Sequence, residues 1–366
     1  MGLKKYSYVN PNFWKGKKVL ITGHTGFKGS WLVIWLKLMG ANLTGYSLLP
    51  ITKFSLFEVA KVKRGIKSVI GDIRDTKAVL KLIKKTKPEI VLHLAAQPLV
   101  RYSYKKPIDT YETNVMGTIN LLEACRKVKS VKVFLNITSD KCYQNKKLKN
   151  KKYRETDPMG GDDPYSSSKA CSELVTKAYR ASFFKNNGIG LATARAGNII
   201  GGGDWSMDRL VPDIFRSMKN RKNILIRNPK SVRPWQHVLE ALSGYIILVQ
   251  KLYHNKKNYS DGWNFGPNYK DTKNVKWIVD YMIKKSGSKI NWTHDKKNQV
   301  AEENYLNLSN SKTKSILGWK TIWTLEKALV KTLEWNNFWL QKQNMNKICE
   351  RQINSYIRDS KNNKKN

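Results

Sequence analysis

Short apolar runs alternate with amphipathic helical patterns through the first half of the chain. Turn residues bound each run, as expected for strands that are buried on both faces of a sheet. Five runs are predicted strands, at residues 18–22, 42–48, 66–70, 90–94 and 131–137. Strands that alternate with helices in this way predict an α/β fold with a parallel, doubly wound sheet.

The first predicted strand runs directly into a glycine-rich turn, 23–29, and an apolar helical pattern follows at 30–36. Glycine permits a tight turn and a close approach of backbone N–H groups to phosphate, and the helix N-terminus adds partial positive charge. This order is the first unit of a Rossmann-type dinucleotide-binding fold. The spacing is G-x-x-G-x-x-G, not G-x-G-x-x-G. The alternative is a plain turn whose glycines serve packing.

Several polar or small residues fall where predicted strands end. In open parallel sheets, ligands bind beyond the carboxyl ends of the strands. The glycine turn, Asp72, the pair Ala95-Ala96 and the run Ser139-Asp140-Lys141 all occupy such ends. We therefore expect one ligand site along this edge of the sheet.

Tyr165 and Lys169 are four residues apart, which places both on one face of a helix. A lysine ammonium beside a phenol favours the phenolate and lowers its pKa from the ordinary value of about 10. The pair therefore predicts a base that takes a proton from a sugar or alcohol hydroxyl.

After residue 195 the rhythm of strands and helices gives way to loops rich in glycine and aromatic residues, at 197–205, 233–238 and 263–267. Such loops predict a smaller C-terminal substrate-binding lobe. We expect a Rossmann domain over 1–197 and a lobe mainly over 198–358, with some segments returning to the first domain. The polar, lysine-rich residues 359–366 are predicted to form a disordered tail.

The chain of 366 residues carries a net charge of +41, which by itself would indicate a nucleic-acid partner. Its lysines lie mainly in loops and on helix faces without an arginine-aromatic stripe, so we interpret them as solvated surface and expect no specific nucleic acid. There is no apolar stretch of eighteen residues and no secretory pattern. Four scattered cysteines predict reduced thiols in a cytoplasm and no metal site.

The motifs resemble those of the extended short-chain dehydrogenase/reductase superfamily and, within it, the nucleotide-sugar 4,6-dehydratases. The resemblance spans roughly residues 14–340. Thr138-Ser139-Asp140-Lys141 and the Gly-Gly-Gly-Asp-Trp run at 201–205 point to the branch that acts on CDP-glucose. Further stretches that carry it lie at 22–31, 93–101, 157–161, 194–198 and 233–238.

The resemblance implies a tightly bound, recycled NAD and a set of roles for single residues. The implied cofactor contacts are Gly23, Thr25, Gly26, Phe27, Gly29, Asp72, Ile73, Leu94, Ala95, Ala96, Asn114, Tyr165 and Lys169. The implied catalytic residues are Ser139, Asp140, Lys141, Tyr165 and Lys169. The implied substrate contacts are Gln97, Asn198, Arg209 and Arg233, for which the alternative is an ordinary structural role.

The implied reaction oxidises C4 of the sugar, eliminates water across C5 and C6, and returns hydride to C6. Tyr165 and Ser139 would act at the 4-hydroxyl and Asp140 would be the acid at O6. Relatives that act on dTDP-glucose have a glutamate base at the next position, where this chain has Lys141. The sequence leaves open whether Lys141 is the C5 base, a charge partner of Asp140 or a stabiliser of the enolate.

A second departure concerns the cofactor. The end of the second strand, 45–48, lacks both the acid typical of NAD binding and the arginine typical of NADP binding, although Lys53 is nearby. NAD is preferred because the implied reaction recycles it, and NADP stays open.

Two rival functions share these motifs. A 4-epimerase would not need Asp140-Lys141, and a non-catalytic cofactor-sensing or nucleic-acid-binding protein would not need the intact Tyr165 and Lys169 pair. The family analogy also implies a homo-oligomer built on helices near 114–127 and 166–184, and a place in deoxysugar biosynthesis for lipopolysaccharide O-antigen.

Overall fold

The computed structural model describes residues 7–145, 148, 151–295 and 305–362. These residues contain thirteen strands and fourteen α-helices. The strands are β1 (Lys18–Thr22), β2 (Asn42–Ser47), β3 (Lys67–Ile70), β4 (Ile90–His93), β5 (Val133–Ile137), β6 (Gly190–Ala196), β7 (Ile199–Ile200), β8 (Ile224–Ile226), β9 (Val232–Pro234), β10 (Gln236–His237), β11 (Gly262–Phe265), β12 (Thr272–Asn274) and β13 (Trp292–His294).

The helices form the layers on either side of these strands. They are α1 (Pro11–Trp14), α2 (Phe27–Leu38), α3 (Leu56–Val59), α4 (Thr76–Thr86), α5 (Val100–Lys105), α6 (Pro107–Tyr111), α7 (Gly117–Arg126), α8 (Pro164–Tyr179), α9 (Leu210–Asn220), α10 (Val238–His254), α11 (Lys256–Tyr259), α12 (Val275–Ser286), α13 (Leu325–Leu340) and α14 (Met345–Asn362). Short 3₁₀ or π turns lie at Glu112–Met116, Asp140–Cys142, Arg180–Phe184, Tyr269–Asp271 and Thr313–Leu317.

The central sheet has seven parallel strands in the order β11-β6-β5-β4-β1-β2-β3. β1 lies between β2 and β4, with Thr22 opposite both Tyr46 and His93. The direction of winding reverses between β1 and β4, which is where such sheets bind ligands. The predicted doubly wound parallel sheet of the Rossmann type is therefore confirmed, and all five predicted strands are present.

Two apolar layers cover the sheet. On one face α2 buries Trp31 and Trp35 in a core shared with α10 and α14. On the other face α4 and α7 contribute Val79 and Leu121 to a second core. Because helices cover both faces, every residue of β4, β5 and β6 is buried, which explains their near-continuous apolar sequences.

The smaller lobe is built on the two-stranded pairs β8 with β13 and β9 with β12. Helices α9, α12 and α13 close a separate core around Ile214, Ile278 and Leu329. Residues after 197 contribute to both units, because β11 pairs with β6 in the main sheet and α10 packs on β5 and β6. The lobe therefore stands against the carboxyl edge of the sheet.

The last helix corrects the predicted disordered tail for residues 359–362. α14 packs against α2 and α13 and continues to Asn362. Buried Ile353 and Tyr356 fix it to the main core, which a polarity pattern alone does not reveal. Residues 363–366 of the predicted tail lie outside the described residues.

Candidate active site

Close backbone packing fixes the shape of the glycine turn after β1. Gly23 has a φ of +74°, and a Cβ there would lie 2.7 Å from the Ala95 nitrogen. A Cβ on Gly29 would lie 2.1 Å from the Gly23 oxygen. Gly26 differs, because its nearest neighbour would be the Gly23 oxygen at 3.4 Å. Two glycines therefore serve the fold, while the third leaves space in front of α2.

The N-terminus of α2 is open to a ligand. Gly26 is its N-cap and supplies no side-chain cap. The first backbone N–H groups of the helix therefore face the space that Gly26 leaves, which suits a phosphate. His24 lies beneath the turn with its Nε2 2.7 Å from Ser68 Oγ, and burial lowers its pKa to about 4. The turn thus rests on a neutral imidazole.

The ends of β2 and β3 form the adjoining part of the edge. Thr25 Oγ1 donates to the Leu48 carbonyl at 2.8 Å and lies 2.9 Å from Ser47 Oγ. Hydrogen bonds from Arg74 lower the pKa of Asp72. The neighbouring Ile73 is buried. The structure brings the predicted Asp72 and Ile73 to this edge, with the carboxylate engaged by an arginine.

The end of β4 lies beside the glycine turn, because the Leu94 and Ala95 nitrogens donate to Thr22 at 3.1 and 3.2 Å. Two nearby residues that were predicted to contact a ligand, Asn114 and Gln97, form hydrogen bonds with protein groups. The Asn114 amide accepts from the Gln97 nitrogen at 2.8 Å and donates to the Gln97 carbonyl and to Ser168 Oγ. The Gln97 side chain donates to Thr110 and accepts from the Leu99 nitrogen.

Gln97 is buried and its side chain is engaged by Thr110 and Leu99, and it is not among the residues that line the cleft described below. Its role as a substrate contact stays a prediction. The amides of Gln97 and Asn114 join the loop after β4 to the helices around it. Sequence alone does not separate this role from a ligand contact, since the same amide groups serve both.

Tyr165 and Lys169 share the buried face of α8, whose N-terminus is capped by Asp163 accepting from the Ser166 nitrogen at 2.9 Å. Burial raises the pKa of Tyr165 to about 12, and the hydrogen bond with Ser139 opposes this rise. Burial, and then the nearby Lys28, lower the pKa of Lys169 to about 7. Burial therefore outweighs the hydrogen bond that favours the phenolate, and Lys169 is only partly protonated near pH 7. The lowering of the Tyr165 pKa by a lysine ammonium beside a cationic ring stays a prediction.

Ser139, Asp140 and Lys141 follow β5 and form a 3₁₀ turn. Ser139 Oγ caps the turn by accepting from the Lys141 nitrogen at 3.2 Å, and it lies 3.1 Å from Asp140 Oδ1. Asp140 is 4% exposed. A Cβ on Gly197 would lie 2.9 Å from its Oδ2, so glycine at 197 leaves room for the carboxylate. The turn therefore presents an acid beside Tyr165.

A cleft with a cavity volume of about 300 Å³ lies between these residues and the lobe. The predicted Asn198, Arg209 and Arg233 all line it, as do Ser139, Asp140, Lys141 and Tyr165. Its cationic side chains are Lys28, Arg101, Lys141, Arg209, Arg227 and Arg233. Guanidinium groups match diphosphate geometry, so the wall favours an anionic ligand.

The sequence did not predict three of these cationic residues as part of the site, namely Lys28, Arg101 and Arg227. Lys28 lies in the glycine turn and Arg101 lies in a stretch that carries the family resemblance, so the sequence contained a feature that could have placed each of them at the site. No sequence feature marked Arg227, which directly follows β8 and reaches the cleft only through the fold. There it lies 3.8 Å from Asp208 Oδ1, and Arg101 lies 3.7 Å from the same atom.

Within the described parts of the chain, no group of three His, Cys, Asp or Glu side chains is arranged to hold a metal ion. No helix among the described residues is long and apolar enough to cross a membrane.

A Rossmann sheet, an open glycine turn, the Tyr165 and Lys169 pair and a cationic cleft define the class of extended short-chain dehydrogenases/reductases. The model of the GDP-mannose 4,6 dehydratase family matches residues 20–332, and the chain belongs to this family. It is 51% identical over 354 residues to the CDP-glucose 4,6-dehydratase of Salmonella typhimurium, with 95% of this chain and 98% of the relative covered.

Solved structures share the fold. The UDP-glucose 4-epimerase of Thermotoga maritima, solved with UDP-glucose, has a TM-score of 0.78 at 22% identity, with 88% of this chain and 99% of that chain covered. The dTDP-glucose 4,6-dehydratase of Bacillus anthracis, in complex with NAD, has a TM-score of 0.73 at 21% identity, with 90% and 99% covered.

Proposed function

We propose that this chain is a lyase that converts CDP-glucose to CDP-4-dehydro-6-deoxyglucose and water. The observation that carries the proposal is the meeting of Asp140 and Lys141 with Tyr165 at one cationic cleft, in a chain 51% identical to a CDP-glucose 4,6-dehydratase. Tyrosine and lysine suffice for hydride chemistry at a hydroxyl. Asp140 adds the acid that loss of water requires.

The cofactor is NAD, and the residues around the glycine turn fit it. Gly26 leaves the space in front of α2 that a pyrophosphate would fill, and the helix N-terminus supplies uncapped N–H groups. Gly23, Thr25, Phe27 and Gly29 shape the turn, and residues 72–73 and 94–96 border it. When bound, NAD would supply the hydride acceptor for oxidation at C4 and the hydride donor for the return at C6.

In its phenolate form, which protonated Lys169 and the cationic ring of bound NAD would favour against burial, Tyr165 takes the proton of the 4-hydroxyl while C4 becomes a ketone. Ser139 supports the phenolate, because its hydrogen bond favours the ionised form of Tyr165. Lys169, one helical turn away, would hold the nicotinamide ribose and, when protonated, would add positive charge near the phenolate.

Oxidation at C4 makes the C5 proton acidic, and water then leaves across C5 and C6. Asp140 donates a proton to the departing 6-hydroxyl, a role that its burial beside Ser139 suits. Lys141, half-buried on the same turn, takes part in removing the C5 proton.

The nucleotide diphosphate lies against the cationic wall of the cleft. Arg233 is buried in β9, and Arg209 is held by Asp204 at 3.1 Å, so both guanidinium groups are oriented before a ligand arrives. Asn198 borders the same space. Oriented arginines favour a diphosphate because little side-chain freedom is lost on binding.

A 4-epimerase is the second candidate, since a solved epimerase with UDP-glucose has the same fold. It would keep Tyr165 and Lys169 but would have no use for a buried acid at Asp140. The acid therefore favours the dehydratase.

We further propose a homo-oligomer that forms through α7 and α8. Met116, Leu174 and Phe183 are 50%, 54% and 40% exposed beside these helices, which suits an apolar contact between copies. Light scattering that shows a monomer at micromolar concentration would exclude this. A cytoplasmic location suits the four free cysteines, and O-antigen deoxysugar synthesis suits the proposed product.

The decisive experiment incubates the protein with CDP-, dTDP-, GDP- and UDP-hexoses in deuterium oxide without added reductant. We expect a 4-keto-6-deoxy sugar from CDP-glucose, with deuterium at C5. A 4-epimer instead of this product would favour the second candidate. No conversion of any nucleotide sugar by protein that contains NAD would contradict both.

A further inference from the structure

α8 carries three buried ionisable side chains at intervals of one turn. Tyr165 is 8% exposed, Lys169 is 5% exposed and Glu173 is 4% exposed. Side chains four residues apart lie above one another on a helix face. The proposed reaction uses the first two and gives no role to the third.

The Glu173 carboxylate ties α8 to the end of β5 and to the neighbouring strand β6. Its Oε1 accepts from Thr138 Oγ1 at 2.5 Å, directly before Ser139 and Asp140. Its Oε2 accepts from Thr193 Oγ1 at 2.7 Å and from Arg195 at 2.8 Å. One carboxylate therefore connects the helix of Lys169 with the exit of β5.

Arg195 extends this connection to the far end of the catalytic turn. Its second guanidinium nitrogen donates to Tyr143 Oη at 2.7 Å, and Tyr143 Oη donates to Asn264 at 2.7 Å. Tyr143 directly follows the turn at Asp140–Cys142. The Glu173 and Arg195 pair therefore holds both ends of the turn. Burying an ion pair costs desolvation energy. The Glu173 and Arg195 pair is therefore better explained by its placement of the catalytic turn than by a gain in the stability of the fold.

The same carboxylate sets the charge around Lys169. The ionisable groups that face this lysine are Lys28 from α2, His93 from β4, Cys142 from the turn, and Tyr165 and Glu173 from α8. Burial keeps three of them neutral near pH 7. It lowers the pKa of His93 to about 3, raises that of Tyr165 to about 12 and raises that of Cys142 well above its ordinary value.

The two remaining groups act on Lys169 in opposite directions. Lys28 lowers the pKa of Lys169 and Glu173 raises it, against the larger lowering by burial. Burial has the largest effect on this pKa, and the opposing effects of Lys28 and Glu173 then shift how much of Lys169 is protonated.

We propose that Glu173 is a positioning residue for the reaction: it keeps Lys169 cationic against Lys28 and, through Arg195 and Tyr143, it fixes the turn that carries Asp140 and Lys141. This inference rests on the proposed function. Its chemistry involves no new ligand, because Glu173 acts through Lys169 and the turn.

The test follows two pH profiles for each variant of the full-length protein. One is the rate of C4 oxidation, read as NAD reduction in a single turnover, and the other is NAD affinity by calorimetry. Cationic Lys169 supports both the rate of C4 oxidation and the affinity for NAD. Both quantities therefore fall as pH rises through the pKa of Lys169, and this fall is the alkaline limb of each profile. Glu173→Gln moves this alkaline limb to lower pH by about one unit, and Lys28→Met moves it to higher pH.

Two further variants serve as controls. One removes a hydrogen bond of Glu173 without removing its charge, and the other removes a buried carboxylate elsewhere in the protein. Thr193→Val removes one hydrogen bond to Glu173 but keeps the charge, so the limb stays in place. Glu240→Gln neutralises another buried glutamate, whose partners Trp323 and Tyr356 lie outside the cleft, and it also leaves the limb in place.

Loss of rate by one factor at every pH in Glu173→Gln, with an unmoved limb, would overturn the proposal. Should that variant not fold, an unmoved limb in Lys28→Met would overturn it equally. Failure of the proposed function is a separate result, because it shows as no conversion of CDP-glucose by the unaltered protein while the limb in NAD affinity is still measured.

Discussion

At the scale of single residues, the proposed part of Lys141 in removing the C5 proton can be tested directly. We predict that Lys141→Met still oxidises C4, since Tyr165 and Lys169 are unchanged. Exchange of the C5 hydrogen with solvent should fall by roughly 100-fold, the lower end of what general base catalysis contributes. Deuterium at C5, followed by mass spectrometry, measures this directly.

A normal rate of C5 exchange in Lys141→Met would exclude the lysine as the C5 base. The matched variant is Asp140→Asn on the same turn. It should retain C5 exchange but lose release of water, because it removes the acid at O6 and leaves the base.

Gly26 and Gly29 offer a second residue-scale prediction, since they serve different purposes. Gly26→Ser keeps a good N-cap for α2 and meets no close neighbour, so stability should stay within about 0.5 kcal/mol. NAD affinity should fall by about tenfold or more, because the side chain enters the phosphate space. Calorimetry with NAD and thermal unfolding measure the two effects.

Gly29→Ala serves as the contrasting variant. Alanine normally favours a helix over glycine, but the new Cβ would lie 2.1 Å from the Gly23 oxygen. We expect a loss of about 1 to 3 kcal/mol in the free energy of unfolding. Equal stability of the two variants would contradict the division between a packing glycine and a ligand glycine.

At the scale of elements, the stretch 201–205 is a packed joint between the sheet and the lobe. A Cβ on Gly202 would lie 2.0 Å from Trp335, and the Gly202 carbonyl accepts from Trp31 Nε1 at 2.9 Å. Gly203 has a φ of +85° and sits against Leu56. The sequence assigned this stretch to a substrate-binding lobe. In the structure, Gly202 and Gly203 are required by packing, while Gly201 and Asp204 line the cleft.

The anchoring of α14 rests on a buried carboxylate on α10. Glu240 accepts from the backbone of Ile322 and Trp323, at 3.0 and 2.6 Å, and from Tyr356 Oη on α14 at 2.7 Å. Burial raises its pKa from 4.5 to about 7 despite these hydrogen bonds. The folded protein therefore binds a proton here more tightly than the unfolded chain does.

A dependence of stability on pH follows from this carboxylate. Between pH 4.5 and 7 the folded state holds the proton that the unfolded state has lost, so stability falls as pH rises through this window. At about 1.4 kcal/mol for each pKa unit, the decline attributable to Glu240 is about 3 kcal/mol. Urea unfolding at a series of pH values should show it, and Glu240→Gln should lack it. The same slope in both proteins would refute the assignment to Glu240.

At the scale of the whole molecule, the net charge of +41 acts on any anionic substrate. A positive field raises the local concentration of a nucleotide sugar, and salt screens it over about 10 Å at 0.1 M. We predict that KM for CDP-glucose rises several-fold between 0.05 and 0.5 M salt, values within the range over which this screening develops. The rate at saturation should change little, because the catalytic group is buried.

Steady-state kinetics in sodium chloride, with the non-ionic solute sucrose as control, test this effect. A KM that does not depend on salt would show that the surface charge plays no part in capture of the substrate. Retention of a DNA duplex at physiological salt would instead support the nucleic-acid alternative.

Much of the architecture was predictable, because buried parallel strands are nearly continuous apolar runs and their ends are marked by small or polar residues. The site was predictable where its chemistry is local, as for Tyr165 and Lys169 on one helix face. It was not predictable where distant segments meet. Arg227 reaches the cleft from the lobe, and Gln97 is used by its own loop.

The sequence alone thus established a Rossmann sheet, its ligand edge and the residue types needed for oxidation and loss of water. Tertiary structure decided which of those residues share a cleft, which of the glycines serve packing, and in which direction burial moves each pKa. The reason is physical: strand and helix periodicity are local properties of the chain. Desolvation and charge, in contrast, depend on every segment packed around a group, as Lys28 and Glu173 show for Lys169.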